Sequence, residues 1–333
     1  MTNARLKRLV GIAVIAAGLL AGIAVLWGKQ TISAPGPLRE SKTIVVERGS
    51  GLRAIAGQLE ARGIIEHPQL FALSAWIDGA QHGLRAGEYA FGPGVSMKGV
   101  LDILREGRTV VRKVTLAEGL TSREMMVLLE EAKGLKGDID EVSPDGSLLP
   151  DTYHYSRDDE RDAIIGRMTK AMDVVLADLW ETRSSDLPIS TPDEAVILAS
   201  IVEKETAVAS ERARVAAVFV NRLRKGMRLE SDPTVVYGLT GGAGALGRKL
   251  FRGDLKKDHP YNTYRIKGLP PGPICNPGRD ALAAVMNPLQ TDEFYFVADG
   301  TGGHVFARTL DEHNRNVSNW RKVQRAKRSK NKK

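Results

Sequence analysis

Cysteine is almost absent from this chain of 333 residues: Cys275 stands alone. That excludes an intrachain disulfide and any CxxC metal or redox motif. Six histidines (67, 82, 154, 259, 304 and 313) are scattered without HExxH or comparable spacing, so neither a metal nor a cofactor is expected. The body also lacks excess charge of either sign, although the net charge of the whole chain is +8. Residues 1–8 hold three basic side chains (Arg5, Lys7, Arg8) and residues 321–333 hold eight, with no acid in either segment. Without those eleven, 37 basic groups face 40 acidic ones, a net of −3. Nucleic-acid binding loses its main support, and no nucleic-acid partner is expected. With 42% apolar and 26% charged residues, the chain reads as neither disordered nor polytopic in a membrane. Its length suggests two domains, each able to bury a core.

One hydrophobic run is present. Leu9 to Trp27 (LVGIAVIAAGLLAGIAVLW) passes 19 residues without a charge, and at about 1.5 Å per residue it spans about 28 Å, close to a bilayer core. A cleaved signal peptide has a shorter apolar region, typically about 7–15 residues. Arg5, Lys7 and Arg8 precede the run, and only Lys29 follows it before Arg39. The expected topology is therefore a single-pass anchor with a cytoplasmic N-terminus (1–8), a transmembrane helix (9–27) and everything else outside. Residues 28–42, with two prolines and two glycines, read as a tether.

The remaining pattern is α+β. Residues 43–116 alternate short strands with capped helices: TIVVE (43–47), a helix over 51–63 capped by Ser50, a helix at 69–77, a strand at 87–91, a helix at 96–106 closed by Gly107, and a strand at 109–116. A larger region follows over 117–320. Thr121 to Glu124 and Thr191 to Glu194 are capping boxes, the latter with proline at the first helical position. An amphipathic helix is expected from after Ser156 to about Thr182, and another over 211–225 behind Ser210. EFYFVA and HVFAR around DGTGG form a hairpin, and Thr309 to Glu312 is a third capping box. The basic tail 321–333 is read as a fraying, solvated extension; contact with anionic head groups or an acidic wall polymer is its alternative.

Chemistry concentrates after the helix body AVILASIV (195–202), which is apolar on nearly every side and so belongs inside protein. Glu203 emerges from its end, where desolvation raises a carboxyl pKa toward the range of a general acid. A carboxylate neutralised by Lys204 or Arg212 is the bland alternative. Glu205 lies about 200° around the helix from Glu203, so the two cannot share one cleft as paired glycosidase carboxylates do; either a structural partner or a supporting place behind the site is expected for it. SDPTVVYG (231–238), YNTY (261–264) and GLPPGPICNPG (268–278) gather aromatic, amide and hydroxyl groups in loops, either lining a polar-ligand cleft suited to carbohydrate or simply holding turns. Gly242 to Gly247 satisfies GxGxxG, but Arg248-Lys249 replaces the Lys-Ser/Thr of a phosphate loop and no βαβ unit surrounds it, so it reads as a mobile loop.

ILASIVEKET (197–206), SDPTVVYG, YNTY, GLPPGPICNPG and HNRNV (313–317), in that order, closely resemble the endolytic murein transglycosylases of the YceG-like (MltG) family, from about Thr43 to Trp320. One segment departs: the family reads approximately EGYLFPDTY where this chain has DGSLLPDTY (145–153), losing aromatics at Ser147 and Leu149. The resemblance implies a single-pass inner-membrane enzyme with a LysM-like module (43–116) and a periplasmic catalytic domain (117–320). It implies cleavage of the MurNAc-β-1,4-GlcNAc bond inside nascent glycan strands, leaving 1,6-anhydro-MurNAc ends and helping to terminate elongation. Glu203 matches the catalytic glutamate, while Asp232, Tyr237, Tyr261, Asn262 and Tyr264 fall in the motifs expected to bind substrate. The LysM-like module either holds glycan or packs against the catalytic domain. Peptidoglycan synthases are expected partners through the shared substrate and membrane face. A muramidase-type hydrolase using Asp232, or a non-catalytic wall-binding scaffold, are the competing functions.

Overall fold

The computed structural model describes residues 2–80 and 83–330; His82 and the last three residues of the basic tail lie outside them. The chain divides into two units, residues 1–112 with 156–158, and residues 113–155 with 159–333.

The first unit begins with α1 (Thr2–Ser33), a single helix that is long and apolar enough to cross a membrane from Leu6 onward. It does not stop at Trp27. The helix continues six residues further, and beyond it Leu38 is buried in the unit's core. A Cβ on Gly36 would lie 2.3 Å from the carbonyl oxygen of Val95, so only glycine allows the connector to press so closely. The stretch 28–42 is therefore helix followed by packed chain, not the loose tether its prolines and glycines suggest. β1 (Lys42–Val46), α2 (Leu52–Ala61), α3 (Pro68–Ile77), β2 (Gly87–Phe91) and α4 (Met97–Glu106) follow. β1 pairs antiparallel with β2, Lys42 opposite Phe91 and Val46 opposite Gly87. Ile44, Val46, Leu59, Phe71, Tyr89, Phe91, Val100 and Leu104 fill the core between sheet and helices. Ser96 caps α4 by accepting from Gly99 N–H, and Gly107 ends it at φ 73°. Ser50 caps nothing: Gly51 is the N-cap of α2, without a side-chain bond.

The second unit is mainly helical. β3 (Val111–Thr115) pairs with β4 (Thr152–Ser156), and between them lies α5 (Ser122–Glu131). The capping box of α5 is complete, Thr121 accepting from Glu124 N–H while Glu124 accepts from Thr121 N–H. α6 (Arg161–Glu181), α7 (Pro192–Glu205), α8 (Arg212–Arg224), α9 (Asp232–Thr240) and α10 (Arg279–Met286) complete the helices before the hairpin of β5 (Tyr295–Ala298) and β6 (His304–Ala307). α11 (Leu310–Lys330) begins at the third capping box, Glu312 accepting from Thr309 N–H and Thr309 from Glu312 N–H.

Two expectations fail here. The tail is an extension of α11 as far as Lys330, not a frayed end, because its run of Arg, Lys, Gln and Ala residues contains no helix breaker. Ser210 lies in a 3-10 turn (Ala209–Glu211) and does not cap α8. α7 is the central helix: Ala195, Val196, Leu198, Ala199, Ser200, Ile201 and Val202 are all buried. It packs among α6, α8 and α10 through Met172, Val215, Phe219, Leu282 and Val285. A helix so enclosed has only its ends left to present to solvent.

Candidate active site

Glu203 sits in the last turn of α7, and its side chain is 7% exposed. Three segments distant in sequence converge on it. The loop 274–278 runs along α7 because Ser200 Oγ accepts from Ile274 N–H at 3.0 Å, and at its end Gly278 N–H donates to Glu203 Oε2 at 2.9 Å. Gly278 is also the N-cap of α10. Arg212, at the start of α8, brings its Nη2 to 3.9 Å from Glu203 Oε1. The same guanidinium reaches Asp280 at 3.0 Å and Glu118 at 3.7 Å. The Glu118-Gly119 turn closes over α7. A Cβ on Gly119, at φ 80°, would lie 3.5 Å from Lys204 Cδ and 3.6 Å from Glu203 Cγ, and Lys204 Nζ donates to the Gly119 carbonyl at 3.1 Å.

Asn276 fastens this arrangement. Its Oδ1 accepts from Gly146 N–H (2.9 Å) and Leu148 N–H (3.1 Å), and its Nδ2 donates to the Leu120 carbonyl (3.2 Å) and Ser122 Oγ (3.0 Å). Its carbonyl accepts from Gly119 N–H at 3.0 Å. One fully buried amide thus ties 119–122 and 146–148 to the loop that touches Glu203.

The electrostatics favour a protonated Glu203. Burial raises its carboxyl pKa above the ordinary carboxylate value, and Glu118 and Asp280 add to that; Gly278 N–H and Arg212 oppose it without reversing it. Its place at the C-terminal end of α7, where the helix dipole is negative, acts in the same direction. A carboxyl whose pKa is raised by burial and neighbouring acids is better suited to donate a proton and then take one back. Cys275, beside it in the loop, is no nucleophile: burial pushes its thiol pKa well up.

Glu205 points elsewhere, accepting from Ser231 Oγ at 2.6 Å. Burial raises its pKa as well, partly offset by the Ser231 bond. Beside α7, a cleft of about 420 Å³ is lined by Thr121, Glu124, Lys204, Asp232, Pro233, Val236, Tyr237, Thr240, Gly242, Gly244, Ala245, Leu250 and Ile274. Asp232 and Tyr237 are therefore cleft residues, and Lys204 links the cleft to Glu203. SDPTVVYG is not a loop: Pro233 occupies the first turn of α9, which proline tolerates, and Gly241 closes that helix at φ 60°.

Tyr237 donates to Asp145 Oδ2 at 2.6 Å, and burial with that carboxylate lifts its pKa well above the usual phenol value, so it remains a donor. Tyr261 leans on it, with ring centroids 4.7 Å apart. Tyr264 donates to Asp232 Oδ1 at 2.8 Å. Tyr261, Asn262 and Tyr264 do not line the cleft. Asn262 is buried and spends its amide on the carbonyls of Leu255 and Lys257 and on Tyr264 N–H, so it shapes the loop. The GxGxxG segment is held at Gly242, whose carbonyl accepts from Thr121 Oγ1 at 2.9 Å. Of the two lost aromatics, Leu149 is a core residue and Ser147 turns its hydroxyl back to the Pro144 carbonyl at 2.7 Å.

Sequence reasoning missed Glu118, Asp145, Asn276 and Asp280. Asn276 and Asp145 carried a usable signal, their places in GLPPGPICNPG and DGSLLPDTY. Among the described residues no group of three or more histidine, cysteine or acidic side chains is arranged to hold a metal.

Residues 44–319 match the YceG-like family. A protein of Bacillus subtilis named endolytic murein transglycosylase is 30% identical, over 89% of this chain and 90% of its own length. One of the same name from Streptococcus pneumoniae is 28% identical over 83% of this chain, which spans 58% of that longer protein. The crystal structure of a YceG-like protein from Listeria monocytogenes, 30% identical, superposes with a TM-score of 0.50 over 83% of this chain and 99% of that one.

Proposed function

Since this chain belongs to the YceG-like family, we propose that it is a membrane-anchored endolytic murein transglycosylase with Glu203 as its single acid and base. The observation that carries this is the environment of Glu203: a carboxyl 7% exposed, its pKa raised by burial, held by Gly278 N–H, with its neighbour Lys204 lining a cleft of about 420 Å³. In the protonated form Glu203 gives its proton to the glycosidic oxygen of the departing GlcNAc as the bond to C1 of MurNAc breaks. The resulting carboxylate takes the proton of the MurNAc C6 hydroxyl as that oxygen bonds to C1. The product is a 1,6-anhydro-MurNAc end, no water is consumed, and Glu203 returns to its starting form. The bond of Glu205 to Ser231 supports a mechanism without a second carboxylate. Asp232 and Tyr237 are proposed to form the glycan-binding wall, with Tyr264 and Tyr261 supporting them from behind and Asn262 holding the shape of the loop.

In this reading α1 is a single-pass anchor in the inner membrane. The basic residues Arg5, Lys7 and Arg8 ahead of its apolar run keep the N-terminus cytoplasmic, and the domain carrying Glu203 (117–320) is periplasmic, where nascent strands are reached and elongation is ended. The module over 43–116 is read as LysM-like, supported by its order of strand, two helices and a strand that pairs back on the first. Peptidoglycan synthases are proposed partners of the whole protein, through the shared substrate and membrane face. Mass spectrometry of peptidoglycan digests tests the chemistry. The wild-type protein should release fragments one water lighter than hydrolytic products, and Glu203→Gln none; reducing ends from the wild type, or anhydro ends from Glu203→Gln, would refute it.

A further inference from the structure

α3 carries an apolar face that nothing in the first unit covers. Leu73, Trp76 and Ile77 are 51%, 65% and 68% exposed, although the opposite side of the helix, Phe71, Ser74 and Ala75, is buried. Its Leu70 edge adjoins α1, while Leu73 and Trp76 also line a groove of about 890 Å³ shared with α2. A Cβ on Gly28 would lie 3.7 Å from Leu70 Cδ1, and the ring of Trp27 lies 6.0 Å from that of His67. At about 100° per residue, Ile77, Leu73 and Trp76 lie about 20°, 60° and 120° around α3 from Leu70, all on one side and away from the core.

The height of the face follows from the helix it touches. The uncharged run of α1 ends at Trp27, with Lys29 two residues later, so Trp27 and Gly28 stand at the level where a bilayer core meets its head groups. Leu70 is fastened at that level, and Ile77 is seven residues along α3, about 10 Å at most. Because α1 runs without a break into the unit it packs on, no free tether lets the module drift away from the membrane. An exposed tryptophan with neighbouring leucine and isoleucine is the composition that favours the bilayer interface.

We propose that Leu73, Trp76 and Ile77 of α3 rest in the head-group region of the bilayer that α1 crosses, making the module a second, interfacial membrane contact. This rests on the reading of α1 as an anchor. Its consequence is orientation: two contacts hold the first unit at a defined height, where one helix alone would let it swing about the anchor.

The test uses the full chain reconstituted into phosphatidylethanolamine and phosphatidylglycerol vesicles, with a nitroxide on Ile77→Cys or Leu73→Cys. The same label on Leu19→Cys reports the anchor, and on Val174→Cys an exposed apolar site of the second unit; Cys275 is fully buried and does not compete for label. Ile77 and Leu73 labels should be relaxed more by oxygen than by a water-soluble nickel chelate, as at Leu19, whereas Val174 should show the reverse. Nickel access at Ile77 and Leu73 with Leu19 still protected would overturn the interfacial contact and leave the anchor standing. Nickel access at Leu19 would overturn both. Spin–spin broadening between Ile77 labels would assign the face to a second copy of the chain. Protection appearing only on addition of peptidoglycan fragments would assign it to glycan. Either result would also overturn the proposal.

Discussion

Replacing Arg212 by glutamine should move the alkaline limb of the pH profile to higher pH. Arg212 is a cation opposing the raised pKa of Glu203, at 3.9 Å from its carboxylate, with the two side chains 10% and 7% exposed. Two unit charges at that distance interact by about 1 kcal/mol at the dielectric of water and by about 4 kcal/mol at the effective value near 20 that suits protein sites. Removing the guanidinium takes that opposing attraction away and raises the Glu203 pKa further. The carboxylates of Glu118 and Asp280, no longer paired with Arg212, push it the same way. Cleavage needs Glu203 protonated at the start, so activity falls as pH rises through its pKa, and a raised pKa extends activity upward. The assay is kcat/KM for release of soluble fragments from purified peptidoglycan across pH, with folding checked by circular dichroism and with Arg212→Lys alongside. Lysine, keeping the charge, should restore most of the wild-type limb. A limb that stays in place in folded Arg212→Gln, or moves downward, would refute both the coupling and the assignment of Glu203 as the acid.

Other substitutions separate chemistry from scaffold. Glu203→Gln should melt at a higher temperature than wild type at neutral pH. A carboxyl whose folded pKa is raised stabilises fully below its unfolded pKa and loses that contribution as pH rises through the folded value, so the gain should vanish near and below about pH 4, the unfolded glutamate range; thermal melts across pH read it. Glu205→Gln can still accept from Ser231 Oγ and should keep activity within about tenfold of wild type, the scale of one weakened hydrogen bond, in the same fragment-release assay. Asn276→Ala removes four side-chain hydrogen bonds at a buried position and should cost about 3–5 kcal/mol, the scale of a broken buried network, seen as a lowered urea midpoint.

What the sequence made legible was local. Thr121, Thr191 and Thr309 were recognisable as caps because the bonding partner lies three residues away, and the apolar ring of residues before Glu203 announced a buried helix. Where a local signal had two structural meanings, it misled. Pro233 and Gly238 suggested a loop but occur within a helix, and Ser50 and Ser210 sit next to helices without capping them. The prolines and glycines of 28–42 concealed a connector pressed onto its module. The electrostatic partners of Glu203 were illegible for a plainer reason. Glu118 and Asp280 come from separate segments and acquire meaning only when Asn276 and the loop along α7 bring them to one guanidinium. The exclusion of Glu205 was legible because helix geometry alone sets its direction, and the bond to Ser231 supplies its structural partner.

The central claim is that Glu203 lets a sugar hydroxyl, not water, attack the anomeric carbon. Digestion of peptidoglycan in water enriched in oxygen-18, followed by mass spectrometry of the new MurNAc ends, tests it most directly. The account predicts anhydro ends free of the heavy isotope in the wild-type digest. Ends that carry oxygen-18 at C1 from the moment of cleavage would contradict it, since they would require a water molecule at the anomeric carbon and a second group to direct it.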